Sequence, residues 1–149
     1  MGDITFKPTS NIKEVDENLQ NQFNTILKIL NKTEEDIIGG LVHIDDLTVE
    51  QLHAIIEAAP DFYNGDRNHN WSPSNNQFDK FITENPQFIL EAYVVNPKRE
   101  DYRFNIVGVK APSNKENKVL LFDFINSLGT DNQPDEYGEY NGFIRAWWD

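Results

Sequence analysis

The chain has no cysteine among its 149 residues, which excludes disulfides, thiol nucleophiles and thiolate metal sites. It is also poor in positive charge: 13 Lys and Arg stand against 25 Asp and Glu, a formal net charge of -12. That balance argues against direct nucleic-acid or anionic-membrane binding, because phosphate contacts need basic side chains. It suits a protein partner with a basic surface, whose approach an acidic surface accelerates. No apolar run nears the roughly 20 residues that span a bilayer. The opening residues Met1 to Pro8 show no basic stretch ahead of an apolar one, and Phe6 stands where a myristoylation signal needs Ser or Thr. A cytoplasmic protein is expected.

The common signatures of catalysis and metal binding are missing too. There is no G-x-S-x-G elbow, no Gly-rich phosphate loop after a strand, and no H-x-x-x-H or H-E-x-x-H pair. His43, Asp45 and Asp46 offer nitrogen and oxygen ligands without a ligand-site spacing, and they read as the solvated approach to a helix. Asp66, Asn68 and Asn70 match the first three ligand positions of an EF-hand loop. The match ends there, since Trp71 occupies the position that needs Gly and Gln77 the position that needs a bidentate Glu. Glu91 and Asp123 could in principle act as an acid–base pair. Asp123 reads better as a charge that keeps an edge strand from aggregating. No cofactor and no metal are expected, and no enzyme.

With 38% hydrophobic and 26% charged residues, the chain belongs among globular sequences, and its length suits one domain over residues 1–149. Residues 1–10 read as an arm or short edge strand, interrupted by Pro8. Asn11 and Glu14 have capping-box spacing, and Ile12, Val15, Leu19, Phe23, Ile26, Leu27 and Leu30 then recur at helical intervals. Thr33 can cap a short helical turn that Gly39-Gly40 closes. Thr48 and Gln51 open the next helix, with Leu52, Ile55, Ile56 and Ala59 on its apolar face and Pro60 at its end. A short helix after Ser72-Pro73 should carry Phe78, Phe81 and Ile82 as far as Glu84.

The stretch from Gln87 to Phe124 is written as an antiparallel meander. Three runs, around Phe88–Val95, Tyr102–Lys110 and Lys118–Phe124, are rich in β-branched and aromatic residues and are split by polar connectors carrying Pro and Asn. An acidic loop from Thr130 to Gly142 then leads to a fourth strand in the tail. The expected fold is α+β: N-terminal helices packed on one face of a mostly antiparallel sheet of three to five strands.

Two polar segments flank that sheet and hold the candidate contact residues. The loop 61–77 brings together Tyr63, Arg67, His69 and Trp71, and interface hot spots are enriched in Trp, Tyr and Arg. The tail offers Asp131, Asp135, Glu136, Tyr137, Glu139, Tyr140, Trp147 and Trp148, aromatics set among carboxylates. Trp147 and Trp148 are adjacent, so in a strand one faces the core and the other does not. The function expected is a small acidic interaction protein that binds and neutralises a macromolecular target, as immunity proteins, antitoxins and phage anti-defence proteins do. The alternatives are a small-molecule or metal-ion module built on the 61–77 loop, and an enzyme using Asp, Glu, His and Tyr without a known motif.

Overall fold

The structure, a computed structural model, describes residues 16–148. The expected N-terminal arm, the Asn11–Glu14 box and Asp149 lie outside the described residues. The first helix, α1 (Glu17–Ile29), opens at Asp16, whose carboxylate accepts the Asn18 amide at 2.7 Å. Its stripe buries Phe23, Ile26 and Leu27 as the 3.6-residue period requires. Thr33 and Asp36 cap each other reciprocally, but they enclose only a three-residue 3-10 turn, Glu34–Asp36.

Gly39 and Gly40 then take φ of 64° and 82° and turn the chain into β1 (Leu41–Leu47). This strand is absent from the sequence reading. Val42, Ile44 and Leu47 are its buried residues, and an irregularity between Ile44 and Leu47 interrupts the strict alternation that identifies strands. Helices α2 (Val49–Ala58) and α3 (Asn75–Glu84) follow, each with a full capping box, Thr48 with Gln51 and Ser74 with Gln77. The cap of α3 is thus Ser74, two residues beyond the expected Ser72-Pro73 start.

Strands β2 (Ile89–Val95) and β3 (Arg103–Pro112) form the central hairpin of the expected meander. The third expected strand is instead helix α4 (Lys115–Ser127). Asn114 caps it by accepting the Asn117 amide at 2.8 Å, and Asn117, Leu121 and Ile125 are buried at intervals of four. Val119 and Phe122 are each 51% exposed, and Asp123 faces solvent from the helix, so its role as an edge-strand charge falls away. Local β propensity here yields to a good cap and a helical stripe.

The acidic segment also contains more structure than a loop. After a 3-10 turn, Thr130–Asn132, it forms β4 (Glu136–Tyr140), which pairs with β5 (Phe143–Trp147), the expected tail strand. Asn141 and Gly142, at φ of 52° and 86°, make the tight connection that an Asn-Gly dipeptide favours. The four strand pairings among the described residues are antiparallel and the sheet order is β1-β2-β3-β5-β4, with β5 inserted beside β3. The fold is α+β: helices cover one face, where Leu90, Ala92, Val94, Phe104, Ile106, Ile144 and Trp148 join the helical stripes in the core. Among the described residues no helix is long and apolar enough to cross a membrane.

Candidate binding face of the sheet

Alternation along each strand sends a second set of side chains to the face away from the helices. Pairing aligns them in rows: Leu41–Val95–Arg103, then His43–Tyr93–Asn105, then Glu91–Gly108–Trp147. Of these, Leu41, His43, Glu91, Tyr93, Arg103 and Trp147, with Asp45, Arg99, Arg145 and the loop residue His69, line a cavity of about 430 Å³. The chain has four arginines, and three of them line this cavity. A protein of strongly negative charge has therefore gathered three of its four guanidinium groups around one cavity.

Arg145 grips Glu91 in bidentate fashion, Nε to Oε2 at 2.7 Å and Nη2 to Oε1 at 2.8 Å, and Nη1 reaches Glu136 at 3.1 Å. The Glu91 hydrogen bonds raise the Arg145 pKa further above its ordinary value, against the opposing effect of burial. The same guanidinium lies 5.5 Å from the Trp147 ring centre and 5.9 Å from that of Tyr140. Gly108 lets Trp147 pack closely here: a Cβ at this position would stand 3.1 Å from Trp147 Cδ1 and 3.2 Å from the Ala146 carbonyl oxygen, which is tight contact.

At the other end Arg99 and Arg103 share Asp101, and the Arg99 hydrogen bonds, helped by Arg103, hold its carboxyl below the usual carboxylate range. Arg103 Nη2 also donates to the Tyr93 hydroxyl at 2.9 Å. Arginine has only donors, so the Tyr93 oxygen accepts there and its own proton goes to His69 Nδ1, 3.1 Å away. That logic leaves the proton of a neutral His69 on Nε2. Beneath this row Asn105 is wholly buried, and neither its oxygen nor its nitrogen finds a partner among the described residues; the buried Arg67 Nε is in the same position.

The two candidate segments meet. Asn132 Nδ2 donates to the Trp71 carbonyl at 2.8 Å, and Trp148 Nε1 donates to the Asn132 carbonyl at 2.9 Å, so one residue ties the 61–77 loop to the tail. The loop tip is further closed by Ser72, whose Oγ accepts the His69 amide at 2.8 Å and whose amide donates to the His69 carbonyl at 2.9 Å. Asn70 and Trp71 take φ of 42° and 68°, a left-handed backbone that non-glycine residues adopt at a cost. This tip holds Trp71 71% exposed.

The other candidate residues divide. Strand alternation puts Glu136, Tyr140 and Trp147 on the cavity face, with Tyr137 and Glu139 on the opposite one. Glu139 is held by Ser113 and Lys118, which depress its pKa, the Lys118 bond first. Asp131 is exposed beside Asn132, and the Asp135 amide pairs with the Trp147 carbonyl. Tyr63 is half-buried against the core and donates to Asn76 Oδ1, and burial, with Asp79, raises its pKa. Trp148 does not fit a contact role: it is 1% exposed and packs edge-on against Phe78, while its neighbour Trp147 lies against the Arg145 guanidinium on the opposite face. The cavity residues Tyr93, Arg103 and Arg145 were missed as candidates, although period-two spacing within their strands sets them opposite the core face.

Among the described residues no group of three or more His, Cys, Asp or Glu could hold a metal ion, so His43, Asp45 and Asp46 form no such set. No family model, no curated protein and no solved structure matches this chain, so its own geometry carries the functional argument.

Proposed function

We propose that this is a small acidic interaction protein that binds a basic macromolecular partner and blocks its activity, in the manner of immunity proteins, antitoxins and phage anti-defence proteins. The observation that carries the reading is Trp71, an indole left 71% exposed on a loop whose backbone is held in a costly conformation by Asn132 and Ser72. A large apolar ring kept out of the core by a pinned loop gains nothing for folding. Rigid exposed tryptophans are what interface hot spots are made from, since little ordering entropy remains to be lost on binding.

The surroundings specify the partner's chemistry. Asp131 stands next to Asn132, and Asp66 is exposed on the same loop as Trp71. A surface with an apolar recess rimmed by Lys and Arg complements them. In a net charge of -12 the long-range field favours the same encounter.

The reading is tested by immobilising the protein and its Trp71→Ala variant and exposing both to lysates of the source organism and of rival strains. A basic protein retained by the wild type, released as salt rises and lost from the variant is the expected result. Equal retention by the two forms would overturn it.

A further inference from the structure

We propose that the Arg99–Arg103 end of the cavity is a binding site for a small oxyanion-bearing ligand, one whose carboxylate or phosphate group accepts from both guanidinium groups. The argument rests on which hydrogen bonds remain unmade. A guanidinium carries five N–H groups. Arg103 uses two on Asp101 and one on Tyr93, and Arg99 uses two on Asp101 and one on the Gly39 carbonyl. Each therefore keeps two N–H groups without an acceptor among the described residues, and both side chains are partly exposed, 42% for Arg99 and 22% for Arg103.

The neighbours reinforce the pattern. With Nδ1 engaged by Tyr93, a neutral His69 offers Nε2–H, a further donor on the cavity wall. His43 stands exposed at the same wall, two residues along β1 from the Arg103 row. The unused polar groups at this end are thus mainly donors, four of them on two permanent cations, and only an acceptor with negative charge completes them. Asp101 acts from behind, bridging the two arginines and fixing their planes. Gly40 makes room for this arrangement: a Cβ there would come within 2.8 Å of Arg99 Cδ.

Size and charge limit the ligand. The cavity, about 430 Å³, is at the small end of metabolite sites. Its far end holds Asp45 and the Arg145-bound Glu91, and the chain as a whole is strongly acidic, which repels polyanions. One or two negative charges on a compact molecule fit, and a nucleic-acid backbone does not.

The site is separate from the Trp71 contact, and the experiment keeps them apart. The intact protein is titrated with inorganic phosphate and with succinate at constant ionic strength in chloride, following Trp fluorescence and the thermal melt. Saturable binding of phosphate, of succinate or of both is expected, the pattern assigning the ligand to phosphoesters or to carboxylates. Arg103→Gln should weaken it about tenfold or more, and Arg103→Lys should fall between, because it keeps charge without the fork. Should Arg103→Gln fail to fold by circular dichroism, Arg99→Gln replaces it. Trp71→Ala should bind the oxyanion as the wild type does. A response that chloride reproduces, or an unaltered affinity in the folded arginine variant, would overturn the site and leave the partner reading untouched.

Discussion

Arg145 and Glu91 meet across the sheet through two parallel hydrogen bonds of 2.7 and 2.8 Å, with the Glu91 side chain only 11% exposed. Such a pair matters most when it is broken, because the remaining carboxylate has lost its water and gained no replacement. Arg145→Met is expected to destabilise the protein by about 3 kcal/mol in urea unfolding. The double variant Glu91→Leu with Arg145→Met should recover most of that loss. A loss below about 0.5 kcal/mol for the single variant would show a pair that solvent already screens.

Trp71 gives the opposite signature. Its side chain is exposed and its backbone is left-handed, so Trp71→Gly should raise stability by about 1 kcal/mol while abolishing partner capture. Asn132→Ala should weaken capture with Trp71 still present, since the loop tip loses its tie to the tail. Unfolding curves and binding measured on the same samples separate the two effects.

Helix α4 can be tested against the strand that its composition suggests. In a strand Leu120, Phe122 and Phe124 would share one face and Leu121 the other. In the helix Leu121 is fully buried and Phe122 is 51% exposed. Leu121→Ala should therefore cost about 2 to 4 kcal/mol and Phe122→Ala under about 0.5 kcal/mol. Asn114→Ala, which removes the cap, should cost about 1 kcal/mol.

Asp101 has a depressed pKa in the folded state, through Arg99 first and Arg103 second. A carboxyl of this kind contributes stability that is fully present above its unfolded pKa, about 3.9, and is lost as pH falls through the lower folded value. The wild type should thus exceed Asp101→Asn in stability at neutral pH, and the gap should close below about pH 4. Because the Asp101 side chain is 48% exposed, the gap should also shrink in high salt. Melting curves of the two proteins across acid pH check both statements.

Helices α1 to α3 and the central hairpin were legible because caps and periodic stripes act locally: Thr48 with Gln51, the Phe78, Phe81 and Ile82 stripe, and the alternation of β2 all lie within a few residues, whereas β-rich composition disguised α4 as a strand. β1 was hidden by the irregularity at Asp45-Asp46, which breaks period two within a seven-residue strand. The β4–β5 turn was announced by Asn141-Gly142 but masked by the acids around it. The candidate face was half legible. His69, Trp71 and Trp147 stand out by residue type, whereas Arg99, Arg103 and Arg145 acquire meaning only when pairing sets them on one cavity, and pairing is a long-range property.

Asn132 joins Trp71 to Trp148, residues that the chain makes far apart, and β5 must enter between β3 and β4 before that joint can form. During synthesis the helices and the β2–β3 hairpin can assemble as they emerge, while the loop tip stays untied. The exposed indole takes up its fixed position only after residues 132–148 have left the ribosome. Under the proposed function, a nascent chain would not engage its partner until that joint closes.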